Sequence, residues 1–150
     1  TAALHQMLHD SPLDDAVMMD DFLKEIASLL QDSAPDNVTI SCDASPVAIS
    51  TSVASSIAVI VSEFVANSIK HAFVDGQSGH VAISGKSLAD GTLEITCEDN
   101  GAANPESTAA KTSASGLGKR IMKASASQIG ATLENGPGPK GYRMVLTLPG

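Results

Sequence analysis

The stretch from Ser52 to Phe73, "SVASSIAVIVSEFVANSIKHAF", limits the possible folds more than any other part of this chain. Its apolar residues, among them Ile57, Val59, Ile60, Val61, Phe64, Val65, Ile69, Ala72 and Phe73, recur at helical intervals and cover most of the circumference. The spacing therefore predicts a helix packed on several sides. Into it the chain inserts a carboxylate, an amide, an ammonium and an imidazole. Glu63, Asn67 and Lys70 fall at i, i+4 and i+7, with His71 one position further round, so they share one face. An unpaired buried amide or charge costs roughly 1–3 kcal/mol or more. That face needs partners, from elsewhere in the chain or from a ligand.

The material for packing such a helix is present. The 150 residues, 43% hydrophobic and 17% charged, suit one α/β domain. Aromatics are 3% with no Trp, so the core must come from Ala, Val, Ile and Leu, and few rings remain to stack on exposed bases. A net charge of −8 argues against nucleic acid as a partner. A phosphate ligand would have to be held by a local field: backbone N–H groups at a helix start, a metal, one or two lysines. Cys42 and Cys97 lie in alternating runs, "TISCDA" and "LEITCED", and read as reduced core thiols. No apolar run approaches the roughly 18 residues of a membrane-spanning helix, and no basic-then-apolar leader opens the chain. This predicts a cytoplasmic segment without direct membrane contact. A first residue of Thr1 suggests a piece of a longer protein or a processed start.

Periodicity orders the elements. "TAALHQMLHD" can form a short helix whose apolar partners would lie outside this chain, and residues 1–12 are set apart from a domain over 13–150. From Leu13 to Leu30 a helix is predicted, with Val17, Met18, Phe22, Ile26, Leu29 and Leu30 inward and acids early, where they suit the helix dipole. "VTISCDA" alternates as a strand, and Pro46 to Ser50 is extended. After the long helix come two strands, "HVAISGKS" and "TLEITCED", joined by the hairpin turn "LADG". A loop of small polar residues, "NGAANPESTAAKTSAS", leads into the amphipathic helix "GLGKRIMKASASQIG", with Leu117, Ile121, Met122 and Ile129 inward. "ATLENG", the turn "PGPKG" and "YRMVLTLP" give a final strand pair. Helices alternating with mainly hairpin-connected strands predict an α+β fold: a two-layer sandwich whose mixed, mainly antiparallel sheet carries about three helices on one face.

Three signals carry chemistry. The first is the face of Glu63, Asn67, Lys70 and His71. The second is "EDNGA", where a strand ends in Asp99, an acceptor suited to a ligand amino group, and Gly101 lets the backbone come close. The third is "SGLGKR", with Gly116 and Gly118 at the mouth of a helix whose free N–H groups can receive an anion. A loop of small residues between the second and third is what a lid over a nucleotide needs.

In this order, "EFVANSIKHAF", "EDNGA" and "SGLGKRIM" resemble the N box and the first and second glycine boxes of the Bergerat-type ATPase fold shared by histidine kinases, gyrase, Hsp90-type chaperones and mismatch-repair ATPases. The likeness is nearest to the catalytic ATP-binding domain of two-component sensor histidine kinases, in the subgroup whose N box reads Asn-x-x-Lys-His-Ala-Phe, and spans about residues 13 to 149. It implies that Asn67 ligates Mg²⁺ between the phosphates of ATP, and that Glu63 orients a water or the attacking group. Lys70 and His71 would offset phosphate charge, Asp99 would accept from the adenine 6-amino group, and Gly101 would leave room for the base. Gly116, Leu117 and Gly118 would hold the phosphates. The implied reaction is transfer of the γ-phosphoryl group to a histidine on a separate dimerisation domain, with a response regulator downstream. His5 and His9 fall outside the region expected to carry that acceptor, and His80, at the start of a strand, reads as structural or solvated. Ala103 stands where the family carries a second glycine, and residues 102–115 contain no Phe. Two other readings share these motifs: an anti-sigma factor of the serine-kinase type, and a degenerate scaffold that does not bind ATP.

Overall fold

Strands whose side chains alternate apolar and polar can bury one face and leave the other to water, and this is how the sheet is built. The computed structural model describes residues 16–71, 78–101, 117–138 and 141–149, with His71 described for its backbone alone. In chain order the elements are β1 (Ala16–Met18), α1 (Met19–Ser33), β2 (Val38–Ala44), β3 (Ala48–Ser50), α2 (Thr51–His71), β4 (Gly79–Ser87), β5 (Leu93–Asp99), α3 (Leu117–Gln128), β6 (Thr132–Pro137) and β7 (Tyr142–Leu148). Five strands form one sheet in the order β2-β4-β5-β7-β6. Its buried face carries Val81, Ile83, Ile95, Cys97, Met144 and Leu146, while Ser84, Glu94, Thr96 and Arg143 alternate with them on the other. The two-layer α+β architecture is as expected.

β2 and β4 pair in parallel, whereas the other neighbours are antiparallel. A parallel pair needs a crossover, and α2 supplies it. This helix touches α1, α3, β4 and β5, which accounts for its broad apolar surface: Ala54, Ile57, Ile60, Val61, Phe64 and Val65 are all buried. Ser50 caps its start, its Oγ accepting from the Val53 N–H at 3.2 Å. By length and mean hydropathy (1.5), Thr51–Lys70 also passes for a membrane span, against the expectation that no run comes close. Its packing against sheet and helices is that of a core helix.

The first helix starts later than predicted. α1 begins at Met19, and Ala16–Met18 instead pairs antiparallel with β3, setting Val17 opposite Ile49. The buried face of α1 is Met19, Phe22, Leu23, Ile26 and Ala27, so Met18 and Leu29, expected inward, are each 40% exposed. The physical reason is a tertiary contact: the Met19 N–H donates to the Val47 carbonyl at 2.8 Å, taking up a donor that a helix start leaves free. Asp20 and Asp21 do occupy the first turn, where the dipole favours them. On α3 the buried residues are Met122 and Ala126, whereas Leu117, also expected inward, is 62% exposed at the helix start. Gly130, at φ 68°, ends α3, with the Ala131 N–H donating to the Ala126 carbonyl at 2.9 Å. The opening helix, residues 139 and 140 of the "PGPKG" turn and residues 102–116, which include most of the lid segment and Ala103, lie outside the described residues.

Both thiols are free, and burial pushes each above its ordinary range, Cys97 the further. They stay protonated near neutral pH, as core thiols do.

The edge strand β2 is closed by one side chain. Gln31 of α1 donates through Nε2 to the Val38 carbonyl at 2.9 Å and accepts through Oε1 from the Ile40 N–H at 2.7 Å, as a neighbouring strand would. Gln31→Ala should cost about 1–3 kcal/mol, read as a lower urea midpoint at unchanged m-value; a midpoint equal to that of the parent would refute this role.

Candidate functional site

α2 and α3 lie over the end of the sheet at which β5 terminates, and a cavity of about 330 Å³ opens between them. α2 contributes Phe64, Asn67 and Ser68, and the sheet contributes Asp99, Leu133, Asn135 and Tyr142. The third wall is α3, with Lys119, Met122 and Lys123.

At its floor is Asp99, 3% exposed although it carries a carboxyl group. Oδ2 accepts from the Ser68 hydroxyl at 2.8 Å, and Oδ1 accepts from the backbone N–H groups of Gly101 and Tyr142, both at 3.1 Å. A carboxylate offers about four acceptor positions. These three donors leave one on Oδ2 for a donor in the cavity. The neighbouring Asn100 ties β5 to β4: its Oδ1 accepts from the His80 N–H at 2.7 Å, and its own N–H donates to the His80 carbonyl at 3.1 Å. The strand end that aims Asp99 is thus held from both sides.

Close backbone approach makes this possible. A Cβ on Gly141 would collide with the Asp99 carbonyl oxygen, stand 2.7 Å from Asp99 Oδ1 and 3.0 Å from the Gly101 nitrogen. A Cβ on Gly118 would stand 2.9 Å from Glu63 Oε2 and 3.8 Å from Asn67 Nδ2. The start of α3 therefore rests against the Glu63/Asn67 face of α2, and two of the three sequence signals meet there.

The predicted residues do not all converge equally. Glu63 and Asn67 are half-buried beside Gly118, Asp99 is buried on the floor, and Gly101 is half-buried with its N–H bound to Asp99. Lys70 is exposed in the last turn of α2 and is absent from the lining among the described residues, and Leu117 is exposed at the start of α3. The His71 side chain and Gly116 lie outside the described residues.

Several lining residues escaped the sequence reading. Ser68 falls on the buried stripe of Val61, Phe64 and Val65, where a hydroxyl is out of place unless it has a partner; that was a usable signal. Lys119 and Lys123, at i and i+4, share a face with Met122, also legible from spacing. Tyr142 gave no such signal. Its ring stacks on Phe64 at 6.3 Å between centroids and 18° between planes, forming a flat apolar wall, and its hydroxyl pKa is raised by burial and then by the Asp99 charge.

The family model described as histidine kinase-, DNA gyrase B-, and HSP90-like ATPase matches residues 52–150. Among solved structures, the chain is similar to the histidine kinase domain of a blue-light activated histidine kinase from Erythrobacter litoralis, with a TM-score of 0.81 and 25% identity, covering 97% of this chain and 69% of that one. A longer structure of that kinase matches at a TM-score of 0.80 and 25% identity; 97% of this chain aligns with 45% of it. The ATP binding domain of PrrB from Mycobacterium tuberculosis matches at a TM-score of 0.69 and 28% identity, over 90% of this chain and 96% of that one. No curated protein matches.

Gly141 and Gly136 make a matched pair, since a Cβ on Gly136 would meet nothing within 4 Å. Gly141→Ala should destabilise by about 1–3 kcal/mol and speed exchange of the Tyr142 amide, whereas Gly136→Ala should stay within about 0.5 kcal/mol. Equal denaturation midpoints for the two variants would overturn the close-approach argument.

Proposed function

Because the chain belongs to the histidine kinase-, DNA gyrase B- and HSP90-like ATPase family, we propose that it is the ATP-binding catalytic domain of a sensor histidine kinase, transferring the γ-phosphoryl group of Mg·ATP to a histidine on a dimerisation domain of the same kinase. Membership accounts for ATP binding and for chemistry of the ATP-dependent kinase or ATPase kind. The narrower histidine kinase reading is supported by the likeness to kinase and ATP-binding domains at 25% and 28% identity. In this reading residues 13–150 are the catalytic domain, residues 1–12 are a remnant of the preceding dimerisation-region helix or a linker, and a response regulator acts downstream. The segment works in the cytoplasm and touches neither membrane nor nucleic acid.

One observation carries the proposal: the open acceptor position on buried Asp99, facing a cavity with a flat apolar wall. An adenine ring fits such a wall, and its 6-amino group is the donor that the acceptor lacks. Gly101 leaves room for the base.

The polar face of α2 would hold the other end of the nucleotide. Among the described residues no cluster of three His, Cys, Asp or Glu could hold a metal. This fits Mg²⁺ bound mainly by phosphate oxygens and waters, with Asn67 adding one hard amide oxygen. When bound, the ion offsets the phosphate charge during transfer. Glu63, beside Asn67, would orient the attacking group or a water. Gly116, Leu117 and Gly118 would offer backbone N–H groups to the phosphates, and Lys70 and His71 would add positive charge from the end of α2. Catalysis of this kind is mostly positioning and charge neutralisation.

Calorimetric titration with a non-hydrolysable ATP analogue, with Mg²⁺ and with EDTA, tests binding; labelling of a histidine-bearing dimerisation domain added with ATP tests transfer. Asn67→Ala should remove the Mg²⁺ dependence and leave metal-free binding largely intact. Asp99→Asn separates ligand from fold. The amide oxygen can still face the Gly101 and Tyr142 N–H groups, and the Ser68 hydroxyl can turn to accept from the new NH₂. Stability should fall by about 1 kcal/mol or less, whereas the ligand's amino group now meets a donor and affinity should drop about 100-fold. Parallel losses of melting temperature and affinity would count against this assignment.

A further inference from the structure

We propose that Lys119 and Lys123 form a cationic clamp for the phosphates of the bound nucleotide, so that α3 supplies the side-chain charge lining the cavity. The inference rests on the nucleotide reading and adds residues that none of the three sequence signals assigned.

Both lysines line the cavity together with Asp99, and their i, i+4 spacing puts them on one face of α3 with Met122 between. Among the described residues no hydrogen bond or ion pair engages either ammonium. Asp99 forms no ion pair with either of them among the described residues; its hydrogen bonds there come from Ser68, Gly101 and Tyr142. Glu63 faces the start of α3 at Gly118, yet forms no ion pair with the lysines among the described residues. Two cations therefore border a shared cavity without partners among the described residues.

Their location sharpens the point. The chain has 9 Lys and Arg against 17 Asp and Glu, so two lysines on one cavity concentrate a scarce charge. The first turn of α3 contains no acid and does contain Lys119 and Arg120. Cations there oppose the positive end of the helix dipole, and an anion bound between them relieves that repulsion. Lys119 is half-buried, although lysines are rarely buried without a partner. Lys123 is exposed at the rim of the cavity, whereas Lys70, also exposed, is outside the lining among the described residues. The Phe64–Tyr142 wall suits a ring and the lysines suit polyphosphate, so the cavity divides as a nucleotide does.

The test compares ATP with adenosine, which keeps the base and lacks the phosphates. Lys119→Met and Lys123→Met, singly and together, are titrated with each ligand in the presence of Mg²⁺, beside Lys24→Met, which removes the same charge from an exposed position on α1. Each cavity variant should lose about tenfold in ATP affinity and the double variant more, with adenosine affinity within about threefold of the parent. Lys24→Met should match the parent, and the double arginine variant, Lys119→Arg with Lys123→Arg, should restore most ATP binding. Unchanged ATP binding in the double variant, or equal losses for ATP and adenosine, would overturn the clamp while leaving the nucleotide reading intact. If the folded parent binds neither ligand, the nucleotide reading fails and the clamp fails with it.

Discussion

The site depends on how a buried carboxyl group is held. Asp99 sits at 3% exposure, where a carboxylate without hydrogen-bond donors would cost several kcal/mol. Its donors come from three segments: Ser68 on α2, 31 residues away; Gly101 in its own turn; and Tyr142 at the start of β7, 43 residues away. Each bond fixes one element relative to the end of β5. Remove the carboxylate and α2, β5 and β7 lose their common point of registration at this end of the sheet. Gly141 belongs to the same arrangement, because any side chain there would occupy the space that the carboxyl group and its turn require.

α2 reconciles two demands that usually fall on different elements. It is the crossover that allows β2 and β4 to pair in parallel, so most of its surface must be apolar. It also presents Glu63 and Asn67 to the start of α3, which approaches closely because Gly118 has no side chain. Packing and chemistry are thus rigidly coupled. A group on the polar face cannot shift without moving Ile57, Val61, Phe64 or Val65 in a close-packed core.

The acidity of the chain gives the cavity a particular electrostatic character. At a net charge of −8 the long-range field repels polyanions. An anionic ligand must be drawn by short-range features, the helix start and the lysines on α3. Any advantage is confined to the cavity, and salt should weaken it less than it would an exposed basic patch.

Much of this was legible in the sequence. Alternation marked β2, β4, β5 and β7, the broad apolar helix marked α2, and the spacing of Glu63 and Asn67 put them on one face, because these properties depend on neighbours a few residues away. Where a distant contact decided the matter, local pattern failed. Ala16–Met18 extended the helical periodicity of α1 yet pairs with β3, and Leu117 looked like an inward residue yet ends exposed at the helix start. Asp99 could be recognised as an acceptor at a strand end, but its three donors could not, since two of them are brought to it only by the packing of α2 and the pairing of β5 with β7. The sequence by itself determined which elements form and which of their faces are apolar or polar. The tertiary structure alone decided which faces meet, and so that Ser68, Tyr142, Gly141 and the lysines of α3 share one cavity with Asp99: periodicity records what a residue needs around it, and not which remote segment will supply it.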